Sequence, residues 1–224
     1  MKVSVEIKGM EAVRARLSGM GKQVAFAASK ALNATGKQIA DAMPAEIERA
    51  IDKPTAFTKK GVRVLKYANK GNLEVTVGFM AAQAKYMEYQ IAGGTRNPGK
   101  AGLKLPAAIK LNEYGNIPKG VIAGLIALAR KDQGAKKAAA KRVKVSAKVD
   151  LYYGDPGKDR SGKDWPRGIY KIVNESLIPL IIFPQTVAKY KARFDFQGKA
   201  KAIAAREWPA QFDAALADAL RTAK

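Results

Sequence analysis

The chain has 224 residues and a formal charge of +22, from 41 Lys and Arg against 19 Asp and Glu, and 47% of it is apolar. That length and apolar share suffice for a packed core in one domain, with or without a large insertion, and argue against wholesale disorder. Cysteine and histidine are both absent, which excludes disulfides, Cys-based zinc sites, Cys–His nucleophilic pairs and histidine acid–base chemistry.

The opening MKVSVEIKGMEAV has no apolar h-region, so no signal peptide is expected. Val3, Val5 and Ile7 alternate with polar residues and predict a short strand that Gly9 ends. Val13, Leu17, Met20, Val24, Ala28 and Leu32 then recur at three or four residues, and Ile39 and Met43 extend the stripe of a long helix. Gly19, Gly21 and Gly36 weaken it by about 1 kcal/mol each relative to alanine, and a kink is expected near the first two. Pro44 is expected to open a separate helical turn or two before Pro54. GVRVLKYA and NLEVTVGFM, 61–68 and 72–80, are β-rich runs joined by NKG, a hairpin signal.

AAQAKYMEYQIAGG predicts a short helix ending at Gly93 and Gly94, followed by the loop TRNPGKAG. LPAAIKL is a weak helix candidate. GVIAGLIALARK is a better one, with Val121, Leu125, Ile126 and Leu128 on its apolar side. Past the run 130–148, Val149, Leu151 and Tyr153 lead into a strand, and 154–168 reads as a polar loop. IYKIV and LIPLIIF are strands that can pair. Val187, Tyr190, Lys191 and Phe194 are expected to open the final helix, with an interruption near Phe196 and Gly198, and Trp208, Phe212, Leu216 and Leu220 give it an apolar stripe. No run of 18 apolar residues exists, so no membrane span is expected.

The expected fold is α+β: a small antiparallel or mixed sheet packed with long N- and C-terminal helices. Residues 1–80 supply the N-terminal strand, helix and hairpin, 81–167 an irregular basic central region, and 168–224 strands and the C-terminal helix, the two ends packing as one domain.

Catalytic signals are weak. GKDRSGKD, 157–164, has the G-x-x-x-x-G-K spacing of a phosphate-binding loop, but Asp164 stands where Ser or Thr must hold magnesium, and WPRG follows instead of a helix. Glu46 and Glu48 fall on nearly opposite helical faces, Glu88 stands alone, and Asp155, Asp159 and Asp164 are interleaved with cations. None resembles a two-metal site, where acids converge from rigid elements. No enzyme activity, metal or cofactor is expected.

The run RKDQGAKKAAAKRVKVSAK, 130–148, holds eight cations against Asp132 alone. Lys136, Lys137, Lys141, Arg142, Lys144 and Lys148 are candidates for contact with DNA phosphates or an acidic partner. No zinc-finger spacing, RNA-binding strand signature or helix-turn-helix accompanies them. Trp208, Phe212, Leu216 and Leu220 are candidates for a subunit interface or for packing within one subunit. Trp165 and Tyr170 flank a loop as further interface candidates, and strands 168–183 offer an edge to be covered.

IKGMEAVRARLSGMGKQVAFAASKALNATGKQIADAM resembles the start of phage minor tail protein Z, the tail completion family of lambda-like viruses, through Gly9, Leu17, Ala27, Ala28, Ala31, Asn33 and Ala34. KPTAFTKKGVRVLKYANKGNLEVTV is similar to the family's switch into strands, and IIFPQTVAKYKARFDFQGKAKAIAAREWPAQFDAALADAL to its C-terminal helix. The likeness covers about 1–80 and 168–220. KYMEYQIAGGTRNPG resembles related tail-joining proteins. The resemblance implies a structural virion protein at the head–tail junction, made in the host cytoplasm. It also implies a homo-oligomeric, six-fold ring whose partners are the tail terminator, the head connector and the genomic DNA. A non-specific DNA-binding or packaging accessory protein is the alternative.

Overall fold

The computed structural model describes residues 4–8, 21–130, 149–158, 161, 162 and 164–222. The fold is α+β, with long helices near both ends of the chain. The chain runs through β1 (Ser4–Lys8), α1 (Gly21–Ala50), α2 (Ala56–Lys59), β2 (Val62–Lys66), β3 (Glu74–Phe79), α3 (Ala81–Ala92) and the short β4 (Gly94–Arg96). It continues with β5 (Leu105–Pro106), α4 (Val121–Ala129), β6 (Leu151–Gly154), β7 (Gly168–Val173) and β8 (Ser176–Ile182). Strand β9 (Ala188–Tyr190) and α5 (Phe196–Arg221) complete it.

Two compact units result, one of Met1–Gly94 with Tyr190–Lys224, the other of Thr95–Lys189. They do not follow the expected boundaries at 80 and 167. The strands 168–183 belong to the second unit, and only the chain from Tyr190 onward joins the N-terminal part. The described residues of 81–167 supply α3 to the first unit and β5, α4 and β6 to the second.

In the first unit the antiparallel order is β1-β3-β2, with Val5 and Val64 both registered on Val77. The expected hairpin forms, and Asn69 shapes its turn by accepting from the backbone N–H groups of Gly71 and Asn72 at 2.9 and 2.8 Å. One face of α1 places Val24, Ala28, Leu32, Ile39, Met43 and Ile47 in the interior, the stripe that its spacing predicts. Ile39, Met43 and Ile47 join Val62, Val77, Phe79 and Met87 with Phe194, Phe196 and Ile203 in the main core. Residues 9–20, where the kink was expected, lie outside the described residues.

Two expectations about helix ends fail here. Pro44 does not start a new helix but sits inside α1. Proline removes the N–H that the Ala40 carbonyl would accept, at about 3 kcal/mol in a helix interior. Burying Ile39, Met43 and Ile47 returns about 1.5–3 kcal/mol each, so packing on both sides carries the helix across. At the other end α5 begins at Phe196, not near Val187, and Ala188–Tyr190 is a strand. Asp195 is the N-cap, its carboxylate accepting from Gly198 N–H at 2.8 Å. Gly198 therefore belongs to the first turn rather than interrupting it. A Cβ there would press on the Asp195 carboxylate as it now lies. LPAAIKL is no helix either. Only Leu105 and Pro106 are regular, as a strand on Ile182 and Ile181.

The second unit is an antiparallel sheet of order β5-β8-β7-β6. Tyr153, Ile169 and Ile181 stand in register across three strands. With Phe183 and Leu151 they pack against Leu125 and Leu128 of α4. Strands β7 and β8 pair as expected, but they are the two inner strands, so the edge expected at 168–183 falls largely to β5 and β6. The buried ring of Tyr170 is met edge-on by Trp165 at 5.3 Å, and its hydroxyl donates to the Pro166 carbonyl. Tyr170 thus serves the core of its own unit and is not a surface anchor for another subunit.

Candidate functional site

The six cations proposed for DNA or acidic-partner contact, Lys136, Lys137, Lys141, Arg142, Lys144 and Lys148, all lie outside the described residues. Their run is held at both ends by the second unit. Arg130 is the C-cap of α4, and Val149 packs on the core that Leu125, Leu151 and Ile169 form. Both ends of the basic run therefore lie in the second unit.

The second candidate, the stripe Trp208, Phe212, Leu216 and Leu220, divides. Trp208 stacks on Phe212 with ring centroids 5.5 Å apart. Trp208, Phe212 and Leu216 pack against the buried Ala27, Ala31, Ala215 and Ala219 at the crossing of α1 and α5. Trp208 also meets Leu32, Ala68 and Val75. Only Leu220 is left exposed, at 42%. Most of the stripe is thus internal packing, and Leu220 alone remains as an accessible member.

The α1–α5 seam is close because its contact residues are small, and it is finished by charge. Lys30 donates to Asp218 at 2.6 Å, and Arg221 reaches the same carboxylate at 2.8 Å. Lys30 first and Arg221 second hold the Asp218 carboxyl below its usual range. A shallow groove of ≈ 290 Å³ runs beside this pair, lined by Lys30, Ala31, Ala34, Gln211 and Asp218 among others. Further along the seam, Glu46 of α1 bridges Lys199 of α5 at 3.0 Å and Arg49 at 2.6 Å. Lys199 chiefly, with Arg49, lowers its carboxyl from the ordinary value. Such a doubly paired carboxylate with a lowered pKa suits a clamp better than a proton acceptor in catalysis.

The remaining acids do not converge. Glu48 pairs with Lys59 at 2.7 Å, away from Glu46, as the helical spacing predicts. In the 157–164 loop, Trp165 N–H donates to the Gly157 carbonyl at 2.8 Å, the backbones of Lys158 and Asp164 form an isolated antiparallel β-bridge, and Asp155 accepts from Gly157 N–H. The described residues of this loop form no helix whose N-terminus could face phosphates. Among the described residues no group of three acids is placed to hold a metal ion, and no helix is long and apolar enough to cross a membrane.

Sequence reasoning missed the seam's ion pairs. Lys30 and Asp218 are 188 positions apart, and no local pattern marks either of them. It also left Asn33 without a physical role, although that residue ties α1 to the hairpin turn through two hydrogen bonds with Ala68. Neither a protein-family model, nor a curated protein, nor a solved structure matches the chain.

Proposed function

We propose that this is a structural virion protein of the phage neck or head-proximal tail end, completing the tail and joining it to the head around the DNA channel. One observation carries the reading. The segments that resemble the tail completion family, apart from 168–189, come together in a single unit, whereas 95–167 lies wholly in the other. Residues carrying the resemblance also have physical work there. Ala27, Ala28 and Ala31 are buried where α5 approaches, and Asn33 holds the hairpin. A likeness produced by alanine- and lysine-rich composition alone has no reason to fall on contact positions.

In this reading several copies, six in the favoured arrangement, form a ring with the tail terminator and the head connector as neighbours. Charge of +22 opposes self-association of free copies, so assembly is expected on a partner or on DNA. Deleting the gene and imaging the progeny tests the role: filled heads with unattached or defective tails are expected. Empty heads beside normal tails would instead favour the second reading, a DNA-packaging accessory, which the net charge supports.

A further inference from the structure

The stretches 89–112 and 176–194 contain no acidic residue, as is also true of 12–40 and 53–73. The structure lays parts of the first two side by side within the second unit. Strand β4 pairs with β9. Leu103 N–H donates to the Pro184 carbonyl at 3.0 Å, and Leu105 and Pro106 pair with Ile182 and Ile181. Gly102, at φ 73, lets the loop lie against the Phe183 backbone, where a Cβ would come within 2.5 Å of the carbonyl oxygen. On the other side of Phe183, its N–H donates to the Arg167 carbonyl at 2.7 Å.

Lys100, Lys104 and Arg167 thus lie beside the 182–185 segment at one end of the four-stranded sheet, and Arg96 and Lys189 on the β4–β9 pair that the same two segments form, all exposed. Among the described residues none of the five makes an ion pair, while every ion pair found lies in the first unit. Arg167 is held over the Tyr153 ring at 5.3 Å and donates to its hydroxyl at 3.0 Å, which leaves guanidinium donors for another acceptor. Between the cations stand exposed Thr95, Asn97, Gln185 and Thr186.

We infer that loops 95–104 and 183–189 with Arg167 form a contact surface for the phosphate backbone of a DNA duplex. Cations interleaved with short neutral hydrogen-bond donors are the side chains that backbone contacts use, and they read no sequence. An acidic protein partner would draw on the same cations but needs an apolar centre to bind stably. Here Val187 is the only large apolar side chain of these loops with substantial exposure, with Leu105 just beyond them. The surface does not include the basic run 130–148, and the inference does not depend on the virion role.

The test is a titration of the full chain against a random-sequence duplex, by fluorescence anisotropy across a range of salt. Replacing Arg96, Lys100, Lys104 and Lys189 by Gln should lower the slope of log affinity against log salt by about 2–4, at about 0.9 per lost phosphate contact, and weaken binding about tenfold or more. A matched variant, with Lys37, Lys60, Lys85 and Lys201 of the first unit replaced by Gln, should leave the slope near wild type. Lys100→Arg with Lys104→Arg should retain binding. Equal effects from the two Gln variants would reduce the result to net charge and overturn the inference, as would an unchanged slope in the first. Binding to polyglutamate without binding to the duplex would overturn the choice of partner. The replaced side chains are exposed, and unchanged thermal melts would confirm that each variant is folded.

Discussion

Asn33 and Ala68 exchange two hydrogen bonds: the Asn33 amide donates to the Ala68 carbonyl at 2.9 Å, and its oxygen accepts from Ala68 N–H at 2.8 Å. Ala68 is buried beside Leu32 and Val75, so its backbone depends on this one side chain in place of a neighbouring strand. Asn33→Ala should cost about 2–4 kcal/mol, since it strands two buried polar groups at once. Asn33→Asp should be nearly as harmful, because a carboxylate can accept from the N–H but faces the carbonyl with no donor. Urea unfolding of the three proteins checks this, and a loss below about 0.5 kcal/mol for the alanine variant would remove the clamp's importance.

The divided stripe on α5 gives a second test. Trp208→Ala should destabilise the first unit by about 2–4 kcal/mol, through lost packing on Leu32, Ala68 and Val75 and lost stacking on Phe212. Leu220→Ser should change stability by less than about 0.5 kcal/mol, because that side chain is exposed. Comparable losses for the two would mean that Leu220 is covered within the subunit.

Glu46 predicts a pH dependence. Its folded-state pKa lies below the ordinary 4.5, held down first by Lys199. A depressed carboxyl contributes stability that is complete above its unfolded-state value and is lost as pH falls through the folded-state value. Glu46→Gln should therefore cost on the order of 0.5–1 kcal/mol at neutral pH, and the cost should fade as pH drops below about 4.5. Melting temperatures of both proteins from neutral pH into this acid range are the measurement. Curves that stay parallel throughout would exclude Glu46 as a source of the acid sensitivity.

The chain leaves the first unit at Gly94 and returns at Tyr190, and the strands at those two points pair with each other. Tyr89 and Tyr190 also pack their rings 5.2 Å apart, and Arg193 and Phe194 both donate to the Gln90 carbonyl. Joining residues 95 and 189 through an Asn-Gly turn should thus leave a first unit that folds on its own, since the turn suits a paired two-strand exit. Helix content by circular dichroism and a single cooperative melt are expected. An insoluble or non-cooperative product would show that the first unit needs the rest of the chain.

What the sequence determined by itself was local. The 3.6-residue stripe from Val24 to Met43 specifies a buried helical face, NKG specifies the hairpin, and Leu125 with Leu128 marks the face of α4 that packs, because each signal depends on neighbours a few positions away. Tertiary structure decided the rest. Whether Pro44 breaks α1 depended on how much apolar area Ile39 and Ile47 bury on either side of it. Where α5 starts depended on Asp195 accepting from the Gly198 N–H as its N-cap. The boundary between units depended on Gly94 meeting the strand before Lys191, and the seam depended on Lys30 meeting Asp218 across almost the whole chain. Composition fixed the total charge, but only the fold could distribute it, pairing Glu46, Glu48 and Asp218 with cations while laying 95–104 beside 183–189. Long-range contacts leave no periodic trace in the sequence, since neither partner constrains the residues beside it.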